Sequence, residues 1–414
     1  PADLQEAASS FQLTAWQRFW RLEVPFAVPG LVWNTMMSMS GGWFFVVASE
    51  TITVGDNNWK LPGIGSYVAL ALEKRDIAAV AYAIGAMLVV ILLYDQILFR
   101  PLVAWSAKFR FETVAGAAEE DPWVLKLLRR TRLLRTVGAG VGIAFDTLGG
   151  ARISSGRRAA TVLREPSRLV DAFWLIVLTA VLGWAMYRII GFVGTRLTWS
   201  DAEQALLLGF YTLVRVVALM VIASLIWVPI GVWLGLRPVW ARRAQPIAQF
   251  LAAFPANLLY PPFVLFIVHF RLNPDIWLTP LMVLGTQWYI LFNVVAGAAA
   301  FPGDLREAAA NLRLHGRLWW HRVMLPGILS YYVTGAITAS GGSWNASIVA
   351  EVASWGDTKL VAHGLGSYIA AASDKGAMAR VVLGVAVMSG FVLLFNKVLW
   401  RPLYAYGSRR MTLD

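Results

Sequence analysis

Charged and hydroxyl side chains inside apolar stretches are the first candidates for chemistry in this sequence. Arg215 lies within the apolar run Leu206–Leu236, where a charge costs about 2.5–3.5 kcal/mol on membrane-insertion scales, so a functional role must be considered. Its guanidinium could attract an anion along a translocation path. The alternative that we prefer is a structural arginine paired with an acidic or carbonyl group near one membrane face. Ser343 and Asn345 belong to a small polar strip that either lines such a path or permits close helix packing.

The sequence contains no recognisable catalytic set. It has no pair of carboxylates placed for acid–base catalysis, no nucleophile–base pair and no Gly-x-x-x-x-Gly-Lys-Ser/Thr phosphate loop. With no Cys and four scattered His, it offers no thiolate site and no evident metal cluster. We therefore expect a chain that is not an enzyme, does not hydrolyse ATP itself and binds no cofactor or metal of its own.

The composition indicates a membrane protein. The 414-residue chain is 58% hydrophobic and 14% charged, whereas soluble domains average about 45–50% apolar and about 25% charged residues. Its 20 Trp suit a protein with two membrane–water interfaces to anchor. In so apolar a chain, the net charge of +12 indicates basic loops kept on the cytoplasmic side rather than nucleic-acid binding.

The elements that must position the candidate residues are apolar segments long enough to cross a bilayer, which takes about 20 residues. We predict an all-α membrane protein, a polytopic helical bundle with about eight transmembrane helices visible. The predicted spans are Pro25–Ser49, Ile77–Phe99, Asp171–Val193, Leu206–Leu236, Ile247–Phe270, Ile276–Ala300, Gly327–Val349 and Ala377–Trp400.

An internal repeat organises the chain. The opening sequence PADLQEAA, from Pro1, recurs as PGDLREAA from Pro302, 301 positions later. One constant offset across a hundred residues indicates a tandem duplication. The same offset relates Pro25 to Pro326, Trp43 to Trp344, Glu50 to Glu351, Gly63 to Gly364 and Gly65 to Gly366.

The repeat predicts the domain organisation. Residues 1–110 form the C-terminal part of a first repeat, residues 111–168 a basic linker and residues 169–414 a complete second repeat. A complete first repeat would require about 130 further residues before Pro1. The linker includes a basic amphipathic run, Trp123–Arg135, which either lies on the anionic inner leaflet or is a solvated tether.

The distribution of basic residues predicts the membrane topology. Arginines concentrate in the linker, in the loop after Leu236, in the loop Leu305–Pro326 and at the C-terminus. Threading eight spans places these four regions on one side, which the positive-inside rule makes cytoplasmic.

The loop Leu305–Pro326 combines a helical pattern with an Ala-rich face, which suits docking into a groove of another protein. Its Glu-Ala-Ala, spacer and Leu-Pro resemble the signature of the permease subunits of ABC (ATP-binding cassette) importers, where a cytoplasmic ATPase binds this loop. Its recurrence before a span in both repeats makes the signature specific. The positions that match it are Glu6, Ala7, Ala8 and Pro25 in the first repeat, where Val24 replaces the Leu, and Glu307, Ala308, Ala309, Leu325 and Pro326 in the second. Gly316 is a further candidate coupling residue in the second loop.

Two details qualify the resemblance. The glutamates Glu6 and Glu307 would face the ATPase, the alternative being that they only favour a helix N-terminus, by about 0.3–1 kcal/mol. The family usually has Gly six residues after the Glu, where this chain has Gln12 and Arg313 with Gly316 nearby, so the geometry of the turn is open.

The end of each repeat resembles the nitrate, sulfonate and taurine branch of these importers. The pattern is a Trp, an Ala-Glu pair and a Gly-Leu-Gly triplet, which the first repeat matches at its Trp, its Glu and the two glycines. A fused duplication of this pattern resembles duplicated anion-type permeases. Its positions are Trp43, Glu50, Gly63 and Gly65 in the first repeat and Trp344, Glu351, Gly364 and Gly366 in the second.

The resemblance implies a transport subunit that forms the path for a small anion or sulfonate-like solute. It implies two copies of a cytoplasmic ABC ATPase, which hold the ATP and Mg, and an extracytoplasmic solute-binding protein as partners. It also implies a multi-pass protein of the bacterial cytoplasmic (inner) membrane, in contact with the lipid bilayer and not with nucleic acid, with the Glu-Ala-Ala loops, linker and C-terminus in the cytoplasm.

Two other classes of function stay open. A secondary, ion-coupled transporter would need carboxylates in the middle of its spans, and only Asp95 comes near, at a span's end. A non-transport membrane assembly subunit would have no use for a duplicated docking loop. Co-purification with an ATPase separates the three hypotheses.

Overall fold

The computed structural model describes residues 6, 8–54, 57–106, 147, 168–355 and 358–411. Within these ranges the chain is predominantly helical, which confirms the prediction of an all-α membrane protein, although two short β-hairpins accompany the helices. The elements before residue 107 are α1 (Ala15–Arg18), α2 (Val24–Ser49), β1 (Thr51–Val54), β2 (Asn57–Lys60), α3 (Ile64–Glu73), α4 (Ile77–Tyr94) and α5 (Arg100–Ser106).

The second half of the chain adds the longer helices. The elements from residue 168 are α6 (Arg168–Gly194), α7 (Trp199–Gly235), α8 (Pro238–Ala253), α9 (Tyr260–His269), α10 (Pro274–Trp277), α11 (Trp288–Ala299), α12 (Gly303–Asn311), α13 (Gly316–Trp319), α14 (Leu325–Ala350), β3 (Val352–Trp355), β4 (Thr358–Val361), α15 (Leu365–Asp374), α16 (Met378–Phe395) and α17 (Arg401–Met411).

The offset found in the sequence also relates these elements. Helices α1, α2, α3 and α4 correspond to α13, α14, α15 and α16, each with both of its bounds 301 positions apart. The antiparallel hairpin β1–β2 corresponds to β3–β4 in the same way, and Thr51 pairs with Lys60 as Val352 pairs with Val361. The domain boundaries at residues 110 and 168 stay a prediction.

The described chain forms two compact units. One consists of Pro1–Ser38 and Val90–Met186, and the other of Met39–Val89 and Tyr187–Asp414. The first unit has an ion pair from the Arg100 guanidinium to Asp95, at 3.1 Å.

The second unit holds the main hydrophobic core, in which α7 packs closely on α11. The approach depends on small residues, because a Cβ at Gly231 or Gly235 would overlap Val294 or Ala298. Helix α14 packs against both of these helices.

Fewer spans than predicted are single straight helices. Among the described helices, five are long and apolar enough to cross a membrane, or up to seven if two bent pairs each count as one span. The count of eight is therefore not confirmed. Helix α2 covers the predicted span Pro25–Ser49 but is not among the seven; Asn34, Thr35 and Ser38 lower its hydropathy.

Two predicted spans are broken by proline. The span Ile247–Phe270 divides into α8 and α9, and the chain bends by 76° between them. Phe254 adopts an extended ψ of 128° because it precedes Pro255, and a residue before proline is disfavoured in the helical region. The span Ile276–Ala300 is likewise not one helix, since α11 begins only at Trp288, after a short 3₁₀ turn that contains a proline. The predicted amphipathic run of the linker lies outside the described residues.

Candidate coupling loops and translocation path

The second-repeat coupling loop is a short helix, a turn and a second helix, α12 and α13. Glu307 and Ala308 are exposed on α12, whereas Ala309 is buried. Three large apolar side chains of the same loop are also exposed: Leu305 at 45%, Leu312 at 72% and Leu318 at 51%. The Glu307 carboxylate and these three apolar side chains are therefore all solvent-accessible on the same loop.

The other predicted positions of this loop are near its end. Gly316 is exposed and begins α13 with a φ of +58°, where no neighbouring atom would meet a Cβ. Leu325 is exposed, and Pro326 lies half-buried in the first turn of α14, where the missing N–H of proline has no cost.

The first-repeat loop repeats this burial pattern as far as it is described. Glu6 is exposed and Ala8 is buried, with 5% of its surface accessible. Pro25 lies half-buried near the start of α2. Ala7 lies outside the described residues.

The turn after each Glu-Ala-Ala segment has the same backbone geometry in both repeats. Gln12 and Arg313 each have a φ of +51°, the left-handed conformation that glycine adopts most easily. The N–H of the next residue donates to the carbonyl of the buried alanine, from Leu13 to Ala8 at 3.1 Å and from the Leu314 N–H to Ala309 at 3.0 Å. This is the hydrogen-bond pattern that terminates many helices. The turn is therefore kept without the usual glycine, at the expense of backbone strain.

Arg215 is held by two carboxylates. Its Nη1 donates to Oε1 of Glu351 at 3.1 Å and its Nη2 to Oδ1 of Asp275 at 3.0 Å. The side chain is 12% exposed, and that of Glu351 is 2% exposed. The positive charge is thus compensated inside the chain, as expected of the structural alternative for this arginine.

Glu351 directly follows α14, and its carboxylate also accepts hydrogen bonds from α7 and from the first turn of α15. Oε1 accepts a hydrogen bond from the Thr212 hydroxyl at 2.8 Å, and Oε2 accepts one from the Ser367 backbone N–H at 3.0 Å, in the first turn of α15. Burial raises the pKa of Glu351, although Thr212, Ser367 and Arg215 all favour its charged form.

Asp275 joins the network from α10. Its carboxylate accepts the backbone N–H of His363 at 2.7 Å and lies 3.0 Å from Nδ1 of the same residue. Partial burial raises the pKa of Asp275, but the contacts with His363 and Arg215 outweigh it and hold the pKa below the usual value of 3.8. The network therefore joins α7, α10, the end of α14 and the start of α15.

In both repeats the glutamate at the end of the long helix, Glu50 or Glu351, packs against the Gly-x-Gly triplet that follows it. In the first repeat, Oε2 of Glu50 accepts the Gly65 N–H at 2.5 Å. A Cβ at Gly63 would overlap the Glu50 carboxylate, and one at Gly65 would overlap the carbonyl of Val47. In the second repeat, a Cβ at Gly364 would overlap the Glu351 carboxylate, and one at Gly366 would overlap the carbonyl of Ser347. The triplet therefore lets a helix N-terminus dock onto the end of the preceding span.

A small cavity lies where the two repeats contribute related glycines. It has a volume of about 40 Å³, room for a few water molecules. Gly41 of α2 and Gly342 of α14, which are 301 positions apart, both line it, together with Thr286 and Tyr289. A Cβ at Gly41 would be 3.1 Å from the Tyr289 hydroxyl, and one at Gly342 would overlap Thr286.

The remaining predicted path residues differ in placement. Ser343 is fully buried, and its hydroxyl hydrogen-bonds that of Thr286 at 2.9 Å. Asn345 is exposed on another face of α14. The structure brings Ser343, but not Asn345, beside the cavity wall.

Sequence reasoning missed Asp275, His363 and Thr286. A signal existed for one of them, because Asp275 is the sole acidic residue between Glu203 and Asp304 and Arg215 needed a carboxylate. His363 and Thr286 carry no such signal.

Comparison with known proteins places the chain in a family. The family described as "Binding-protein-dependent transport system inner membrane component" matches residues 1–100 and 227–401. The bicarbonate transport system permease protein CmpB of Synechococcus elongatus is 30% identical over 190 residues, 46% of this chain and 65% of that protein. The nitrate import permease protein NrtB of Leptolyngbya laminosa is 25% identical over 256 residues, 61% of this chain and 82% of that protein. The chain thus spans slightly less than two thirds of the bicarbonate permease. Since the family's residues cover more than half of the sequence, the chain belongs to the inner membrane components of binding-protein-dependent transport systems.

Proposed function

We propose that this protein is the permease subunit of an ATP-driven importer for a small inorganic anion of the bicarbonate or nitrate type. The observation that carries the proposal is the pair of coupling loops with one turn geometry, each preceding a long helix at the same offset. The substrate class comes from the relatives, whose names specify bicarbonate and nitrate transport.

The coupling loops are the proposed contact with the ATPase. Glu307, Ala308, Leu312 and Leu318 are all exposed on the same loop, so a partner's groove would accept the Ala face and pair with the carboxylate. Glu6 would do the same in the first repeat. Two loops match two ATPase copies, and both loops would lie in the cytoplasm of a bacterial inner membrane.

ATP binding by the partner would drive transport through these loops. Because each loop continues into a long helix, α1 into α2 and α13 into α14, a push on the loop would move the helix that follows it. The two spans would rock against each other and switch the central path between the two sides of the membrane.

The cavity lined by Gly41 and Gly342 is the proposed closed section of the path. Transporter sites often lie where internal repeats meet. The hydroxyl groups of Thr286 and Tyr289 would replace part of the water shell of a passing anion. Arg215 would stabilise the fold through its ion pairs with Glu351 and Asp275. Selectivity for the solute would come largely from the solute-binding protein.

Uptake into proteoliposomes tests the proposal. The purified chain, its ATPase and its binding protein would be reconstituted with ATP inside or outside, and entry of labelled bicarbonate or nitrate measured. We expect ATP-dependent uptake that is lost in the double variant Glu6→Ala, Glu307→Ala. Uptake driven by an ion gradient without ATP would instead support a secondary transporter, and an ATPase that never binds the chain would support an assembly subunit.

A further inference from the structure

Two tryptophans and two arginines form an exposed cluster, the Trp–Arg cluster, where α7 ends and α8 begins. The Arg237 guanidinium stacks over the Trp233 ring at 4.8 Å, and Arg243 lies 5.7 Å from the centre of the Trp240 ring. The two indoles are themselves 5.7 Å apart. Stacking on a ring restrains each guanidinium. Nη1 of Arg237 also donates to the Trp233 carbonyl at 3.4 Å, which leaves the other N–H groups of the two arginines to bind a ligand.

The charge of this cluster is not compensated within the described part of the chain. Neither Arg237 nor Arg243 takes part in an ion pair found among the described residues. The sequence contains no Asp or Glu from position 204 to 274, so acidic neighbours along the chain are far away. Two adjacent positive charges without a carboxylate favour an external anion.

The surroundings of the cluster indicate a lipid anion. The exposed residues Trp240, Arg243, Ile247 and Leu251 follow one another at helical spacing along one face of α8. Such a face has indole and guanidinium groups at one end and bare aliphatic groups beyond them, the order of groups in a phospholipid from phosphate to acyl chain. Trp is enriched at the level of the headgroups, where its ring is apolar and its N–H is solvated. A soluble protein partner would not match the apolar end of the face.

We propose that the Trp–Arg cluster binds the phosphate of an anionic phospholipid, with its acyl chain along Ile247 and Leu251. The planar guanidinium groups of Arg237 and Arg243 donate to the phosphate oxygens in the paired geometry that arginine forms with oxyanions. The bound lipid fixes the junction of α7 and α8 in the leaflet where α7 ends. This site is independent of which solute the protein carries.

Native mass spectrometry of the full chain in detergent, titrated with phosphatidylglycerol, measures this binding. Each arginine is expected to contribute roughly fivefold to the affinity for anionic lipid, so the double variant Arg237→Gln, Arg243→Gln should bind about 25-fold more weakly. The double Lys variant should retain an intermediate affinity, because it keeps charge but not the paired geometry. The matched control is Arg196→Gln, since Arg196 also stacks on an aromatic ring, that of Phe192 at 4.9 Å, but outside the cluster.

Comparing two phospholipids and testing inorganic phosphate as a competitor shows whether the bound phosphate belongs to a lipid or is a free ion. Phosphatidylglycerol should bind more tightly than phosphatidylethanolamine, and inorganic phosphate should not compete at millimolar concentration. Equal phosphatidylglycerol affinity in the wild type and the double Gln variant would overturn the proposal, as would an equal loss in Arg196→Gln. Competition by free phosphate would overturn the assignment to lipid. The melting temperature of each variant shows that the comparison is between folded proteins.

Discussion

The guanidinium of Arg215 lies 3.1 Å from Oε1 of Glu351, a carboxylate 136 positions farther along the chain. Glu351 in turn accepts the N–H of Ser367, so one buried charge pair connects α7 to the end of α14 and to the start of α15, on either side of the β3–β4 hairpin. The position of Arg215 inside an apolar segment is thus explained by its ion pair within the fold, without a bound solute.

Removing Arg215 should destabilise the fold. In Arg215→Met the buried Glu351 carboxylate loses its cation, and breaking a buried pair in this way costs about 3–5 kcal/mol. A second change, Glu351→Gln, removes the unpaired charge and keeps a hydrogen-bond acceptor, so the double variant should recover part of the loss. Thermal unfolding in detergent measures both. An unchanged melting temperature in Arg215→Met would contradict the role of the pair.

The Asp275 carboxylate should make stability depend on acidic pH. Its native pKa is lowered below 3.8, so its stabilising contribution is present above that value and is lost as the pH falls through the native pKa. Unfolding temperatures of wild type and Asp275→Asn between pH 3 and 7 should converge at the acid end. The control is Asp374→Asn, because the pair of Asp374 with Lys359 is about half exposed and contributes little. A constant difference at every pH would refute the prediction.

The Gly-x-Gly triplet should not tolerate a methyl group. In Gly366→Ala the new Cβ overlaps the backbone carbonyl of Ser347, which cannot move as a side chain can, and overpacking costs about 1–3 kcal/mol. Gly65→Ala should behave alike in the first repeat. Gly341→Ala is the control, since no atom lies within 4 Å of a Cβ there. The measurement is thermal stability, and equal values for Gly366→Ala and Gly341→Ala would show that the close approach is unimportant.

Replacing Arg313 by glycine should stabilise the second coupling loop. Arg313 has a φ of +51°, and the left-handed conformation costs a non-glycine residue about 1–2 kcal/mol. Arg317→Gly, within helix α13, should instead destabilise the loop, because glycine is about 1 kcal/mol less favourable than alanine in a helix. Hydrogen exchange of the α12–α13 amides reports the local change. Slower exchange in Arg317→Gly than in Arg313→Gly would contradict the expected signs.

Filling the glycine cavity should block transport without unfolding the protein. Gly41→Val would occupy the space before Tyr289, whose hydroxyl end can shift, so the fold should survive while ATP-dependent anion uptake falls at least tenfold. Gly42→Val is the matched control, because no atom lies within 4 Å of a Cβ at Gly42. If both variants transport alike, the cavity is not part of the path.

Much of the architecture could be predicted because its signals are local or repeated. Composition decides the membrane class, since apolar segments of sufficient length have few alternatives to helices in lipid. The offset between Pro1 and Pro302 carried over to the bounds of the helices, because two copies of one pattern form the same elements. The breaks at Phe254 and near Pro280 were missed, since a hydropathy window averages over the one residue that bends the chain.

The sequence by itself determined what kind of protein this is: a duplicated helical membrane protein with two matching Glu-Ala-Ala loops, because hydropathy, periodicity and repeats are properties of neighbouring residues. Only the tertiary structure decided which partners the isolated charges and glycines have. It assigned Arg215 to Glu351 and Asp275 and brought Gly41 and Gly342 to one cavity. Such pairings depend on the packing of segments far apart in the chain, and no local pattern encodes them.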